Sequence, residues 1–345
     1  MLVLCNDAVF PHQGLIPSQE LLSTLISLEK WVLVRLHGHD SIQYLNDQFT
    51  CDIKNLDIAK YSFSAYCNLN GKVFSSVYVF YITHKEIAFI CRKSIYNKQI
   101  SMMKKYAIFS DVTIVSNCKE ILIGAAGLNI RKYLSDFFSI LPNKMYSVVH
   151  NYGVTILYFN SPIERFLLVF YEISIFNNLI NKLKLCMQFN NSCQWELLDI
   201  ESGYPIIDLV NSELFFPQAI NMDILKGISF NKGCYLGQES IARLQYRGHN
   251  KKVLYWLTGE IIQVITSYSL PSSGDLIEFK MNDRNWRNIG VILQVCQIKN
   301  SNILWIQAVL DRPISECLEL KLVNINNSNS FIIFNVDKKH TYNHT

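Results

Sequence analysis

One cysteine in the second half of the chain has neighbours that favour a reactive thiol. Cys234 follows Lys232 and Gly233, and Gly237 breaks the chain again just before a helical pattern begins. The unpaired backbone N–H groups at a helix start carry partial positive charge and a nearby lysine adds to it, so both favour a thiolate. These residues predict a reactive cysteine or a cradle for an anion. An inert cysteine in the core is the alternative.

The helix predicted after this turn carries charged residues at steps of four. Glu239, Arg243 and Arg247 fall on one face, and Lys251 and Lys252 follow. Glu239 and Arg243 have the spacing of an ordinary ion pair within a helix. The residues alone do not separate an ion-paired or solvated face from a surface that binds an anion.

Length and composition indicate a globular protein of two or three domains. The chain has 345 residues, of which 50% are hydrophobic and 17% are charged. These proportions exclude a disordered chain and allow a large buried core. The net charge of +4 is too small to identify a nucleic-acid-binding protein.

The cysteines and the uncharged segments favour a cytoplasmic protein. Ten scattered cysteines form no C-x-x-C pair, so we expect no zinc or iron–sulfur site encoded by the chain. Scattered cysteines are typical of a reducing compartment. The start lacks the basic segment of a signal peptide. The longest uncharged run, 145–163, contains Asn151 and Gly153 and predicts a hairpin rather than a membrane span.

Hydrophobic periodicity predicts an α+β fold with mainly antiparallel sheets. Strands and helices alternate up to residue 250, and Asn70-Gly71 gives the strongest hairpin signal. No dinucleotide-binding fingerprint or P-loop is present. Residues 251–337 read as strands only, which predicts a β-barrel, and we expect 338–345 to fray.

Residues 232–239, which read KGCYLGQE, closely resemble the K-G-C-Y-x-G-Q-E signature of the YgfZ family. Members of this family are bacterial folate-binding, tRNA-modifying proteins related to the aminomethyltransferase of the glycine cleavage system. The resemblance extends to the segments around Trp31, 104–110, 194–208, 216–219 and 286–290, and it covers roughly residues 20–320.

The resemblance implies an aminomethyltransferase-like clover-leaf of three domains around a central folate site. Residues 1–250 would form two α/β subdomains that need not be contiguous in sequence, and 251–337 the β-barrel. It also implies a role in supporting iron–sulfur enzymes, notably the radical-SAM enzyme that methylthiolates tRNA. The ligand would be tetrahydrofolate or a derivative, any effect on tRNA could be indirect, and no membrane would be involved.

The same resemblance places two tryptophans at the folate, where an indole can stack on a pterin. Packing in the core is the alternative for both. Cys234 is the candidate reactive thiol, as a cluster ligand, a redox sensor or a positioning residue. The arginines could hold the glutamate tail of folate or an RNA phosphate. The candidate folate contacts are Trp31, Trp195, Lys232, Gly233, Tyr235, Gly237, Gln238, Glu239, Arg243 and Arg247.

One departure from the related aminomethyltransferases bears on mechanism. Those enzymes carry acidic residues on the strand after the early hairpin, where this chain has Ser75 and Ser76. A serine cannot exchange protons near neutral pH as a carboxylate can. We therefore expect a non-catalytic folate-binding factor. The alternatives are a folate-dependent one-carbon transferase with a carboxylate elsewhere, and a module that binds tRNA directly through the basic helix.

Overall fold

The computed structural model describes residues 9–115, 119–265, 270–282, 285–311, 319–324 and 327–341. It has the expected α+β architecture, with two open sheets and a closed barrel. The strands are β1 (Thr24–Ser27), β2 (Trp31–His37), β3 (Tyr61–Cys67), β4 (Val73–Thr83), β5 (Glu86–Arg92), β6 (Thr113–Val115), β7 (Ile121–Ala126), β8 (Val148–Asn151), β9 (Val154–Phe159), β10 (Arg165–Phe170), β11 (Gln188–Asn190), β12 (Lys252–Ile265), β13 (Leu276–Asn282), β14 (Asn285–Gln297), β15 (Ile303–Asp311), β16 (Glu319–Asn324) and β17 (Asn327–Thr341).

Six α-helices are present in the described part of the chain, together with three short 3-10 helices. The α-helices are α1 (Ser41–Gln48), α2 (Lys93–Tyr106), α3 (Ile130–Ser135), α4 (Ile173–Leu183), α5 (Ser192–Ser202) and α6 (Gln238–Arg247). The 3-10 helices are Ser18–Glu20, Leu209–Asn211 and Pro217–Ile220. In none of these ranges is a helix long and apolar enough to cross a membrane.

The first sheet is antiparallel throughout, in the order β3-β4-β5-β2-β6. The Asn70-Gly71 turn joins β3 to β4 as predicted, and Gly71 has a φ of +74°, which a residue without Cβ adopts without strain. Helices α1 and α2 pack on this sheet. Strand β5 is buried along almost its whole length, so this sheet lies inside the largest hydrophobic core.

The second sheet has the order β11-β1-β7-β10-β9-β8. Strand β1 precedes the first sheet in the chain, whereas the other five strands follow it, so this unit is discontinuous in sequence. Strands β1 and β11 pair in parallel and the other described pairs are antiparallel. Helices α3 and α4 contribute Leu134, Phe176 and Leu179 to the core on this sheet.

After α5 the chain returns to the first sheet. Gly203, with a φ of +78°, ends α5. The backbone then exchanges hydrogen bonds with β4, because Val73 N donates to Phe215 O and Glu213 N donates to Val73 O, each at 2.8 Å. This return brings α6 and the segment before it against the turn between β3 and β4.

The barrel closes in the order β12-β15-β14-β13-β16-β17. Its last strand corrects one expectation, since 338–341 do not fray. Thr341 pairs with Tyr255 and Lys338 with Thr258 on β12, and backbone hydrogen bonds of this ladder hold the end of the chain. Residues 342–345 lie outside the described residues.

Candidate functional site

The thiol predicted to be reactive lies at the surface. Cys234 is exposed, in the loop between residue 231 and the start of α6. It borders a cavity of about 440 Å³. The lining residues are mainly polar: Gln43, Asn46, Asp47, Asp52, Lys54, Asn55, Asn231, Lys232, Gly233 and Cys234. The thiol is therefore open to a partner from outside.

Lys232 anchors this loop to the backbone at the end of α1. Its Nζ donates to the carbonyl oxygens of Phe49 and Cys51, each at 2.6 Å, and to that of Asn46. These carbonyls lie at the end of α1 and just beyond it, where unpaired C=O groups attract a cation. Burial lowers the pKa of Lys232 to about 8, although nearby acidic groups oppose this. Much of the charge expected to favour a thiolate is thus used in holding α1.

The two glycines of the signature have different surroundings. Gly237 has a φ of +79°, and a Cβ there would lie 2.5 Å from Asn68 O and 2.8 Å from Gly71 Cα. A side chain at Gly237 would therefore push α6 off the β3–β4 turn. A Cβ at Gly233 would have no neighbour within 4 Å, so packing in the chain does not require a glycine there. An open glycine backbone permits close approach by another molecule.

Tyr235 fills the core beneath the loop. Its side chain is buried, and its hydroxyl has no hydrogen-bond partner in the part of the chain that the structure describes. Lys232 Nζ lies 4.8 Å from the centre of its ring. Burial raises the pKa of Tyr235. This residue supports the loop from within.

The polar face of α6 points to solvent. Glu239, Arg243 and Arg247 are exposed, and Gln238 is half-buried. No Glu239–Arg243 ion pair is found in the described ranges. The two arginines remain available to an anionic ligand or partner.

Trp195, in contrast, is fully buried. Its ring meets Phe159 edge-on with centres 5.6 Å apart, and the Arg165 guanidinium lies 4.4 Å from its centre. A Cβ at Gly124 would lie 2.5 Å from the indole, so the bare backbone of β7 makes room for the ring. The indole Nε1 is buried without a hydrogen-bond partner among the described residues.

Trp31 reaches α5 through an arginine. The Arg92 guanidinium lies 4.4 Å from the Trp31 ring. Arg92 Nη2 also contacts Glu196 Oε1 at 2.7 Å and Asp208 Oδ2 at 2.8 Å. Glu196 is the neighbour of Trp195 in the sequence, so Arg92 connects Trp31 to the helix that carries Trp195. Neither indole is among the residues that line the cavity of Cys234.

A second ion pair in this region was missed by the sequence reasoning. Arg165 Nη2 lies 2.8 Å from Asp199 Oδ1, and both side chains are buried. Burial raises the pKa of Asp199 to about 6, although Arg165 and Arg92 oppose this. One signal could have found Asp199: it follows Trp195 by four residues, which puts both on one face of α5.

These groups lie behind a second cavity, of about 350 Å³. Aromatic and polar residues line it: Tyr61, Ser62, Phe63, Lys144, Ser147, Tyr158, Asn160, Tyr204, Leu225 and Lys226. The Phe159 ring lies 5.0 Å from that of Tyr61 and 5.6 Å from that of Trp195, centre to centre. An aromatic wall therefore continues from this cavity to Trp195.

The two cavities are joined by a short stretch of chain. Leu225 and Lys226 border the aromatic cavity, and 231–234 border the thiol cavity. Between them Ser229 N donates to Thr50 O at 2.8 Å, which fixes the stretch to the end of α1. Chemically, the aromatic cavity suits a flat heterocycle with an anionic tail, and the polar one suits a reaction or contact at sulfur.

Comparison with known proteins identifies the family. The YgfZ β-barrel domain model matches residues 250–324. The tRNA-modifying protein YgfZ of Blochmanniella pennsylvanica is 53% identical over 325 residues, which is 94% of this chain and 98% of that protein. Its counterpart in Sodalis glossinidius is 44% identical over 312 residues, 90% of this chain and 92% of that protein. The chain belongs to the YgfZ family.

The fold of this YgfZ family member is also that of aminomethyltransferases. The crystal structure of glycine cleavage system aminomethyltransferase T from Bartonella henselae superposes with a TM-score of 0.68 at 13% identity. The match covers 92% of this chain and 85% of that one. At this identity the likeness concerns the fold.

The two serines at the position of the aminomethyltransferase acids have structural partners here. Ser75 is buried and donates to Gln99 Oε1 at 2.8 Å, and Ser76 donates to Pro205 O at 3.0 Å. Glu196 and Asp199, both on α5, are buried carboxylates. Among the described residues no cluster of three or more His, Cys, Asp or Glu could hold a metal ion.

Proposed function

We propose that this protein is a cytosolic folate-binding factor that supports iron–sulfur enzymes, including the one that methylthiolates tRNA. The observation that carries the proposal is the aromatic cavity with buried, unpaired polar groups behind its wall. The relatives are named tRNA-modifying proteins, which supports the tRNA part.

The residues of the aromatic cavity fit a folate. A cavity of about 350 Å³ lies at the lower end of the range for small-molecule sites, so it would take the pterin and leave the tail outside. Tyr61, Phe63 and Tyr204 offer ring faces to a pterin, and Lys144 and Lys226 are exposed at the cavity, where they can meet carboxylates.

Behind the wall, buried polar groups match the hydrogen-bonding edge of a pterin. Trp195 Nε1 and Arg165 Nη1 are both buried, and neither has a hydrogen-bond partner in the described residues. Unpaired buried donors are costly, so they commonly mark a missing water or ligand. The Arg165 guanidinium lies 5.8 Å from the Tyr204 ring, and Tyr204 lines the cavity.

The proposed role of Cys234 is separate from folate binding. The thiol is exposed beside an open glycine backbone, so a partner protein could reach it while folate occupies the other cavity. The stretch from residue 225 to 234 gives a physical route by which folate could influence that contact.

Tryptophan fluorescence tests the folate proposal. Titration with tetrahydrofolate should quench the wild-type emission, and Trp195→Phe should remove most of that quenching. Trp305→Phe is the matched control, because Trp305 packs against Trp256 in the barrel with ring centres 4.6 Å apart. Exposed cations give a second readout: Lys144→Gln with Lys226→Gln should weaken binding by about threefold to tenfold, and Lys184→Gln, just after α4, should not. Absence of binding in equilibrium dialysis would refute the proposal.

A second candidate function is folate-dependent one-carbon transfer. Asp199, with a pKa raised to about 6, can exchange a proton near neutral pH, as such a reaction requires. Product formation from a methylene- or aminomethyl-folate by the wild type, and its loss in Asp199→Asn, would establish it.

A further inference from the structure

The end of α2 and the loop that follows it expose three large apolar side chains. Phe109 is 98% exposed, Ile108 70% and Tyr106 42%. An aromatic side chain exposed to this degree protrudes from the surface. Clustered exposed apolar residues commonly mark a contact with another molecule. We call Lys104, Lys105, Tyr106, Ile108 and Phe109 the α2 tip.

The α2 tip ends a basic stretch of the chain. Residues 93–110 contain four lysines and no acidic residue. Their charge of +4 equals the net charge of the whole chain. Lys98 pairs with Glu213 at 3.1 Å, but Lys104 and Lys105 lie exposed in the last turn. The aromatic tip is thus joined to unopposed positive charge within α2.

The nearest carboxylates are already engaged with backbone. Asp40 Oδ2 accepts from Asp111 N at 2.9 Å, and Asp111 Oδ2 accepts from His39 N at 3.2 Å. These bonds tie the base of the tip to the start of α1. Both carboxylates keep their charge, so the positive charge of the tip that can meet an anion is that of Lys104 and Lys105.

Helix α1 connects the tip to the thiol loop. Tyr44 Oη donates to Met103 O, at the end of α2, at 2.6 Å. The next turn of α1 holds the loop, because Asp47 O accepts from Leu236 N at 3.0 Å and Asn46 O from Lys232 Nζ. An eight-residue helix is only about 12 Å long. One macromolecule of ordinary size could therefore contact the tip and Cys234 together.

We propose that the α2 tip binds a single-stranded segment of RNA, with Phe109 stacked on a base and Lys104 and Lys105 against phosphates. Aromatic faces beside basic groups are the combination that recognises unpaired bases. The choice of RNA as partner rests on the proposed function in tRNA modification, and it makes the RNA contact direct.

A lipid surface fits the same tip less well. A helix that lies on a membrane buries a continuous apolar face in it. The apolar face of α2 is already used, since Ile95, Ile100 and Met103 are buried in the core. Only the short tip remains free, which suits insertion between bases rather than into a bilayer.

Fluorescence anisotropy with a labelled RNA stem-loop tests this. Phe109→Ala should weaken binding by roughly 5- to 150-fold, the range for loss of one base–aromatic stack. Lys104→Ala with Lys105→Ala should reduce the slope of log affinity against log salt by about 1.4, for two phosphates of a single strand. A blunt RNA duplex without a loop should bind weakly to the wild type and to both variants.

Matched controls are available just after the end of α4. Leu185 is 90% exposed and follows the exposed Lys184, so Lys184→Ala with Leu185→Ala removes the same kinds of group from another surface and should not change RNA binding.

Equal RNA binding by Phe109→Ala and wild type would overturn the proposal. So would tip-dependent binding to anionic phosphatidylglycerol vesicles with none to RNA. The tetrahydrofolate titration of Phe109→Ala should match wild type, so failure of RNA binding leaves the folate proposal standing, and failure of the titration counts against that proposal alone.

Discussion

The two cavities of this protein are built in opposite ways. The thiol cavity lies between the loop at 231–234 and the segment 43–55, which contains most of α1, and the residues that line it are mainly polar. The aromatic cavity takes its wall from β3, β9 and the segment after α5, and its ion pair from β10 and α5. Changes at the exposed Gly233 and Cys234 should therefore leave the core intact, whereas changes at the buried ion pair should affect both stability and binding.

Removing the charge of Arg165 should have the largest effect. Arg165→Met leaves the buried Asp199 carboxylate without its close partner, and breaking a buried pair costs about 3–5 kcal/mol. We expect urea denaturation to show a loss of that size in the free energy of unfolding. The double variant Arg165→Met with Asp199→Leu should recover part of it, because no unpaired charge remains. A loss below about 1 kcal/mol in the single variant would mean that water reaches the pair.

This ion pair also shows what the sequence could and could not supply. The hairpin at Asn70-Gly71, the helix from Gln238 and the barrel follow from local patterns and turn residues. The pairing of Arg165 with Asp199 requires that β10 and α5 meet in space, which no local pattern encodes. The short strands β1 and β11 were missed for the same reason, since they pair over more than 160 residues of chain.

Only part of the candidate site could be predicted from the sequence, because some of its residues are adjacent in the chain and others meet only in the fold. The signature residues are adjacent, so their common location on one loop could be predicted. That Lys232 would point at carbonyls of α1, and that the indoles would lie behind a different cavity, depends on packing between distant segments.

The second largest effect should be a pH dependence of stability that comes from Asp199, behind the aromatic cavity. The folded protein holds the proton of Asp199 up to about pH 6, whereas the ordinary pKa is 3.8, so the folded state binds more protons between these values. The contribution of Asp199 to the free energy of unfolding therefore falls as pH rises from 4 to 6, by up to about 3 kcal/mol. Asp199→Asn should lack this component in denaturation curves measured across that range. Identical pH profiles for both proteins would show that the carboxyl ionises normally.

The smallest effects should come from the two glycines of the loop, and they should differ from each other. Gly237→Ala forces a side chain into a left-handed conformation and against the backbone of the β3–β4 turn, at a cost of about 1–3 kcal/mol. Gly233→Ala meets no neighbour within 4 Å and should change stability by less than about 1 kcal/mol, in the stabilising direction.

The effects of the two glycines on function should not follow their effects on stability. Gly233→Ala, which leaves the protein stable, should impair function. If Gly233 is kept open for a partner that approaches Cys234, Gly233→Ala should reduce methylthiolation of tRNA in cells, measured by mass spectrometry of digested tRNA, although the protein is as stable as wild type. Cys234→Ala provides the reference for complete loss at this loop. Because an exposed, unpacked glycine has no packing role in the chain, a Gly233→Ala protein with full activity would show that the partner does not need the open backbone at this position.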